Sequence, residues 1–221
     1  MANIIKRHAN IGQALALNSE PESIVPYYAK WSETYDSDVI DGYVGLGLIG
    51  ELMHQHVQSE HCKLVEKQPS KLRVVDVGCG TGLGGEGLNS LGYNHLEGLD
   101  ISPEMIEKAR LSGWYSELYD RINLNEPLPS YLTNRYDVAV CLGTFTPGHV
   151  HPEALIQLVQ MTKPSGVVVV STRPEYYETT SFQEVSDDLE TSGAVQLHEC
   201  RFNAPYRDDG KAHYWIYNVL T

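Results

Sequence analysis

The sequence predicts one α/β domain built on a doubly wound, mostly parallel sheet, with helices ahead of it and an antiparallel hairpin at its C-terminal end. Three observations predict this. Strand-length apolar runs alternate with helix-period segments from Leu72 to Thr172. Two of those runs, Tyr136 to Leu142 and Gly166 to Thr172, are almost continuously apolar, as burial on both faces of a parallel sheet requires. The first run, VVDVGCGTG from Val74 to Gly82, passes straight into a glycine-rich turn, where backbone must come close to a ligand at the carboxyl end of a strand.

Taken in order, residues 22 to 65 read as helices carrying aromatic side chains. Leu72 to Val77 is the first strand and Leu83 to Leu91 the helix that follows its turn. His95 to Leu99 is the second strand. Ser102 as N-cap and Pro103 at the first helical position open a helix to Leu111. Tyr119 to Leu124 is expected as the third strand, and Tyr136 to Leu142 is the fourth. Between Pro152 and Thr162, Ala154, Leu155, Leu158 and Val159 recur at helical spacing, with Pro164-Ser165-Gly166 as the expected stop before the fifth strand. Val195 to Phe202 and His213 to Leu220 close the chain as strands joined by the polar turn Tyr206 to Lys211. The expectation is one domain over residues 1–221, with a helical cap over 1–70 and the sheet core over 71–221.

Composition narrows the partners. Sixteen Lys and Arg against 29 Asp and Glu give a net charge of -13, and no basic stripe offsets it, which argues against a phosphate backbone as partner. Cys62, Cys79, Cys141 and Cys200 form no CxxC pair, so a reduced, cytoplasmic protein is expected. No apolar run approaches the roughly 18 to 20 residues that cross a bilayer. Lys6 and Arg7 without a nearby acid leave a weak mitochondrial presequence as the alternative to an ordinary N-terminal helix.

The glycines have two readings. Gly82-Leu83-Gly84-Gly85-Glu86-Gly87 matches G-x-G-x-x-G, the dinucleotide signature, but that pattern needs its first glycine in the turn leaving the strand. Here the strand ends near Val77, and the turn itself is G-C-G-T-G preceded by Asp76, an acid ill-suited to a pyrophosphate. A ligand bearing an ammonium and a sulfonium suits that acid. Asp100 ends the second strand, where a carboxylate can accept both hydroxyls of a ribose, against the plainer reading of a loop acid.

VVDVGCGTG, GLDISPEMIEKAR, INLNEPLP, RYDVAVCLGTF and KPSGVVVVSTR, in that order from Arg73 to Arg173, resemble the motif set of the class I S-adenosylmethionine-dependent methyltransferases. The segment YYAKWSETYDSDV is similar to the aromatic entrance segment of a subgroup typified by methyltransferase-like protein 27 of the Williams-Beuren region. The resemblance implies a Rossmann-like seven-stranded sheet under an N-terminal helical lid, with S-adenosylmethionine as cofactor and S-adenosylhomocysteine as product. It implies that Asp76, Gly78, Cys79, Gly80 and Gly82 line the methionine part, Asp100 holds the ribose and Ile101 packs on adenine. Asn123 stands where the family often has an acid, and with Leu124 is expected at the adenine. Cys141, Leu142 and Gly143 are expected beneath the methyl group, and Tyr28 and Tyr35 over the cofactor or, equally, in the core.

Methyl transfer from a sulfonium is an in-line displacement, so alignment and exclusion of water supply much of the catalysis, and a base is needed only for a protonated nucleophile. The loop GTFTPGHVHPE lacks N-P-P-Y and the acids of a Mg2+ site. His149 and His151 are its candidate bases, weighed against loop histidines capping the next helix. Metal binding by His54, His56, His61 and Cys62 is not expected, because helix positions two apart face away from each other. Trp31, Phe145, Arg173 and Tyr177 are the candidate substrate contacts, Arg173 for a carboxylate or else a surface ion pair. The activity expected is methyl transfer to the oxygen, nitrogen or sulfur of a small molecule. A cofactor-binding pseudoenzyme and a protein methyltransferase are the alternatives, and the oligomeric state is open.

Overall fold

The computed structural model describes residues 9–208 and 210–221. Lys6 and Arg7, on which the presequence alternative rests, lie outside the described residues. After a helical stretch over residues 9–14 come α1 (Pro21–Trp31), α2 (Tyr35–Val39) and α3 (Gly45–Val57). Alternating strands and helices follow: β1 (Arg73–Val77), α4 (Leu83–Ser90), β2 (His95–Leu99), α5 (Pro103–Ser112), β3 (Glu117–Tyr119), β4 (Tyr136–Phe145), α6 (Ala154–Met161) and β5 (Thr162–Thr172). Two short helices, α7 (Pro174–Thr179) and α8 (Phe182–Thr191), lead to the hairpin β6 (Val195–Arg207) and β7 (Gly210–Val219).

The seven strands lie in the order β3-β2-β1-β4-β5-β7-β6. Strands β1 to β5 pair in parallel, and β7 runs antiparallel to both β5 and β6. Chain order reverses at β1, which pairs β2 on one side and β4 on the other. Above the carboxyl ends of β1 and β4 the outgoing loops therefore diverge, and a crevice opens there.

Side-chain alternation along the strands builds two cores. Val75, Val77, Ala139, Cys141, Val168 and Val170 face α6, α7 and α8. Val74, Val138, Val140, Val167 and Val169 face α3 and α4. Helix α3 packs in the sheet's helical layer, with Ile49, Leu52, Met53 and Val57 buried on it. A separate cluster of Ala14, Trp31, Val39 and neighbouring tyrosines forms the covering segment.

Four local expectations need correction. Strand β3 ends at Tyr119, because Arg121 takes a positive φ of 55° and the chain turns, leaving Ile122 and Leu124 buried in a loop. Helix α6 stops at Met161 because Thr162 becomes extended, its hydroxyl donating to the Leu158 carbonyl at 2.8 Å. Pro164-Ser165-Gly166 instead forms an irregularity inside β5, where Ser165 has φ 68°. The closing turn is tighter than Tyr206 to Lys211, since β6 runs to Arg207 and β7 starts at Gly210. No helix among the described residues is long and apolar enough to cross a membrane.

Candidate active site

The crevice is floored by the glycine turn. Gly78 has φ 71° and a Cβ there would lie 2.2 Å from Thr144 Oγ1, so neither the conformation nor the space admits a side chain. Gly78 and Cys79 donate their N–H groups to the Leu99 carbonyl at 2.8 and 3.0 Å, tying the turn to the end of β2. Asp100, the next residue, accepts from Gly80 N at 2.9 Å with one oxygen and from Ser102 N at 2.8 Å with the other. The Ile101 N–H is a third backbone donor to this carboxylate, which keeps lone-pair capacity beyond these contacts. Burial pushes the Asp100 carboxyl up, and these backbone donors pull it back down.

Above the turn lies a cavity that is partly open to solvent. Gly78, Gly80, Asp100, Ile101, Asn123, Leu124 and Leu142 line it, as do Tyr28, Tyr35 and His149. A Cβ on Gly80 would meet nothing within 4 Å, so this glycine borders open space. Ile24, Leu99, Met105 and Ile122 add an apolar slot beside Ile101. The Asn123 amide is engaged in its own turn, accepting from Asn125 N and donating to Glu126, each at 3.0 Å. Asp76 and Cys79 lie in a narrower extension of the space beside Gly80 and Leu142. Burial raises the Asp76 carboxyl to about 6, against the hydrogen bond that Tyr115 donates at 2.7 Å.

The covering segment is fastened in place. Thr81 of the glycine turn donates to Asp36 of α2 at 2.5 Å. Trp31 Nε1 donates to Asp38 at 2.8 Å, and Lys108 of α5 pairs with Glu33 at 3.0 Å. From α1, Tyr28 reaches His149 in the loop after β4, with Oη 2.6 Å from Nε2. His149 Nδ1 lies 3.0 Å from the Pro147 carbonyl, which can only accept. Nδ1 therefore carries the proton, and Nε2 accepts from the Tyr28 hydroxyl. Burial lowers the His149 pKa below its ordinary value and keeps Tyr28 protonated, so the pair is neutral at pH 7.

A second cavity adjoins the first. Trp31 and Arg173 line it, with Arg207, Val39 and Ala14. Tyr28, Tyr35, Tyr43, Gly143, His149 and Tyr206 line both spaces and so form the wall between them. The Tyr43 and Tyr206 hydroxyls are 2.9 Å apart above Gly143, where a Cβ would come within 3.0 Å of each. Tyr206 is one of several aromatics near strand ends that a sequence pattern can flag, whereas Tyr43 has no motif around it.

Five expected site residues lie elsewhere. Gly82 caps α4 with φ 90°, and a Cβ there would press on Tyr115 and Ala109, so it serves helix packing. Cys141 alternates away from the crevice into the core under α6, where burial pushes its thiol up to about 12. Phe145 points the same way, its ring 5.5 Å from that of Phe182. Tyr177 donates to Gln183 and packs on Trp215, Phe202 and His213, outside both cavities. His151 is exposed, its backbone N–H bound to Asn125 while the chain turns into α6.

Comparison with known proteins bears on this geometry. A profile of the methyltransferase domain family matches residues 50–206. Human methyltransferase-like protein 27 is 32% identical over 177 residues, covering 76% of this chain and 66% of that protein. Ubiquinone biosynthesis O-methyltransferase of Rickettsia typhi is 32% identical over 130 residues, 57% of this chain and 52% of the enzyme. The chain thus matches just under two thirds of the first relative and about half of the second. Among solved structures, magnesium protoporphyrin IX methyltransferase of Synechocystis PCC 6803 with bound S-adenosylmethionine superposes with a TM-score of 0.58 at 14% identity, covering 80% of this chain and 81% of that one. That likeness is one of fold.

Proposed function

From a chain that belongs to the methyltransferase domain family, we propose an enzyme that moves a methyl group from S-adenosylmethionine to a small-molecule acceptor in the second cavity. The observation that carries the reading is the wall shared by the two cavities, with His149 and Tyr28 in it. The first cavity fits the cofactor: Gly80 borders open space, Asp100 offers lone pairs for ribose hydroxyls, and Ile101, Met105 and Leu124 offer apolar surface for a base. Asp76 offers a carboxylate for a cationic methionine end. S-adenosylmethionine, when bound, supplies a methyl group on a cationic sulfur, open to attack by oxygen, nitrogen or sulfur.

The residues of this chain orient, dehydrate and move a proton. Tyr28, Tyr35, Tyr43 and Tyr206 line the boundary with aromatic surface and exclude water from it. An acceptor hydroxyl beside Tyr28 gives its proton to the phenol oxygen as Tyr28 gives its own to His149 Nε2. The imidazolium so formed keeps its Nδ1–H on the Pro147 carbonyl. Four free cysteines suit a reducing compartment, and we place the protein in the cytoplasm.

The test is calorimetric titration of the full chain with S-adenosylhomocysteine, followed by a screen of small hydroxyl, amine and thiol acceptors with methyl-labelled cofactor. Binding with turnover supports the reading. Binding without turnover on any acceptor leaves a cofactor-binding pseudoenzyme, and labelled peptides without labelled small molecules leave a protein methyltransferase.

A further inference from the structure

Resting on that reading of the two cavities, we infer that the acceptor carries a carboxylate, seated on Arg173. Arg173 follows β5 directly, and its backbone N–H is bound to the Phe145 carbonyl at 3.1 Å, which fixes where the side chain leaves the sheet. The guanidinium stacks over the Tyr206 ring with its carbon 4.8 Å from the centroid. It also lies 3.5 to 3.7 Å from where a Cβ on Gly210 would stand, ordinary contact distance, which places it against the start of β7. The side chain is only 22% exposed and lines the second cavity.

What Arg173 lacks is a partner of full strength. Its Nε is buried without a hydrogen bond, and its nearest acid among the described residues is Glu175 at 3.8 Å, beyond hydrogen-bonding distance and on a side chain 66% exposed. An exposed pair of that kind contributes little. A mostly buried guanidinium with unanswered N–H groups costs stability unless something meets it. Its planar fork matches a carboxylate, which it can bind through two parallel hydrogen bonds.

The placement also separates two ends of the acceptor. Tyr206 touches both the guanidinium and the wall that holds Tyr28 and His149, so an acceptor anchored on Arg173 extends past Tyr206 toward that wall. The nucleophile and the carboxylate therefore sit at opposite ends of one molecule, with an aromatic or flat body between them against Trp31 and Tyr206. Hydroxy acids with an aromatic spacer meet this description.

The experiment titrates the full chain, saturated with S-adenosylhomocysteine, with 3-hydroxybenzoate, 4-hydroxybenzoate and 4-hydroxyphenylacetate, and with the corresponding amides. The expected result is tighter binding of at least one acid over its amide by about tenfold or more, as a charge-assisted pair supplies. Arg173→Gln should abolish that preference with S-adenosylhomocysteine affinity unchanged, and Arg173→Lys should restore part of it. Equal binding of acids and amides, no binding of any acid, or equal weakening of both by Arg173→Gln overturns the inference while the cofactor reading stands. Failure of the wild-type chain to bind S-adenosylhomocysteine overturns both.

Discussion

Tyr28 Oη lies 2.6 Å from His149 Nε2, joining helix α1 to the loop after β4 across 121 residues of sequence. One contact thus fastens the cover and holds a neutral imidazole on the wall between the cavities. If the base acts on a hydroxyl, His149→Ala lowers turnover by about 10²-fold or more with little change in S-adenosylhomocysteine affinity. Tyr28→Phe keeps the ring and breaks the same relay, so it should lower kcat by a similar factor. Steady-state kinetics on one acceptor check both variants, and a wild-type rate for either contradicts the relay.

The pH profile follows from the same residue. Burial lowers the His149 pKa, so the ring stays neutral through pH 7 and is lost as a base only as pH falls below its ordinary value near 6.5. The rate with a hydroxyl acceptor is expected to be level from pH 7 to 8 and to decline below pH 6. In His149→Ala that decline should vanish. A rate that climbs steadily between pH 7 and 9 would point to an unassisted acceptor.

Asp76 predicts a conflict between ligand binding and stability. Its carboxyl is raised from 3.8 to about 6 by burial, so the contribution is fully present below pH 3.8 and is lost as pH rises through 6. At pH 7.5 the ionised group costs the free protein on the order of 3 kcal/mol by linkage, since each tenfold change in acidity is about 1.4 kcal/mol. Asp76→Asn, which can still accept from Tyr115, should raise the melting temperature at pH 7.5 and change it little near pH 4. The same variant should bind S-adenosylmethionine more weakly. A lower melting temperature for Asp76→Asn at pH 7.5 contradicts this account.

Two glycines of the turn separate space from packing. Gly80→Val places its side chain in the open cavity, at a strain of about 1 to 2 kcal/mol for φ 55°, and should remove cofactor binding from a folded protein. Gly82→Val drives a side chain against Ala109 and Tyr115 and should lower stability first. Circular dichroism melts alongside titration distinguish the outcomes.

Phe145 belongs with stability for the same reason. It is fully buried against Tyr176 and Phe182, so Phe145→Ala should cost about 3 to 5 kcal/mol of folding free energy without a selective rise in acceptor KM. Urea denaturation gives the number, and an unchanged midpoint would mean that the ring is not in the core.

Much of this site is readable in the sequence where a local rule acts. The placement of Asp100 and Gly80 follows from a strand ending in an acid and a turn that requires positive φ, and both rules operate within a few residues. Cys141 and Phe145 depart from expectation because strand alternation decides which face they take, and, an even number of residues apart, both take the core face despite the irregularity between them in β4. Helices α7 and α8 escape a periodicity reading because PEYYET and FQEVSDDLET bury few residues, although Phe182, Ser186 and Leu189 recur at helical spacing. Tyr43 and the second cavity are invisible in the sequence for a different reason. They arise only where α1, α2 and the β6–β7 hairpin meet, which no local pattern encodes.

The most direct measurement is the calorimetric affinity of the full chain and of Asp100→Ala for S-adenosylhomocysteine. The account predicts saturable one-to-one binding by the wild-type protein, weakened in Asp100→Ala by on the order of 2 kcal/mol, as lost charge-assisted ribose contacts require. Absence of binding by the wild-type chain, or equal affinity of the two proteins, would contradict it.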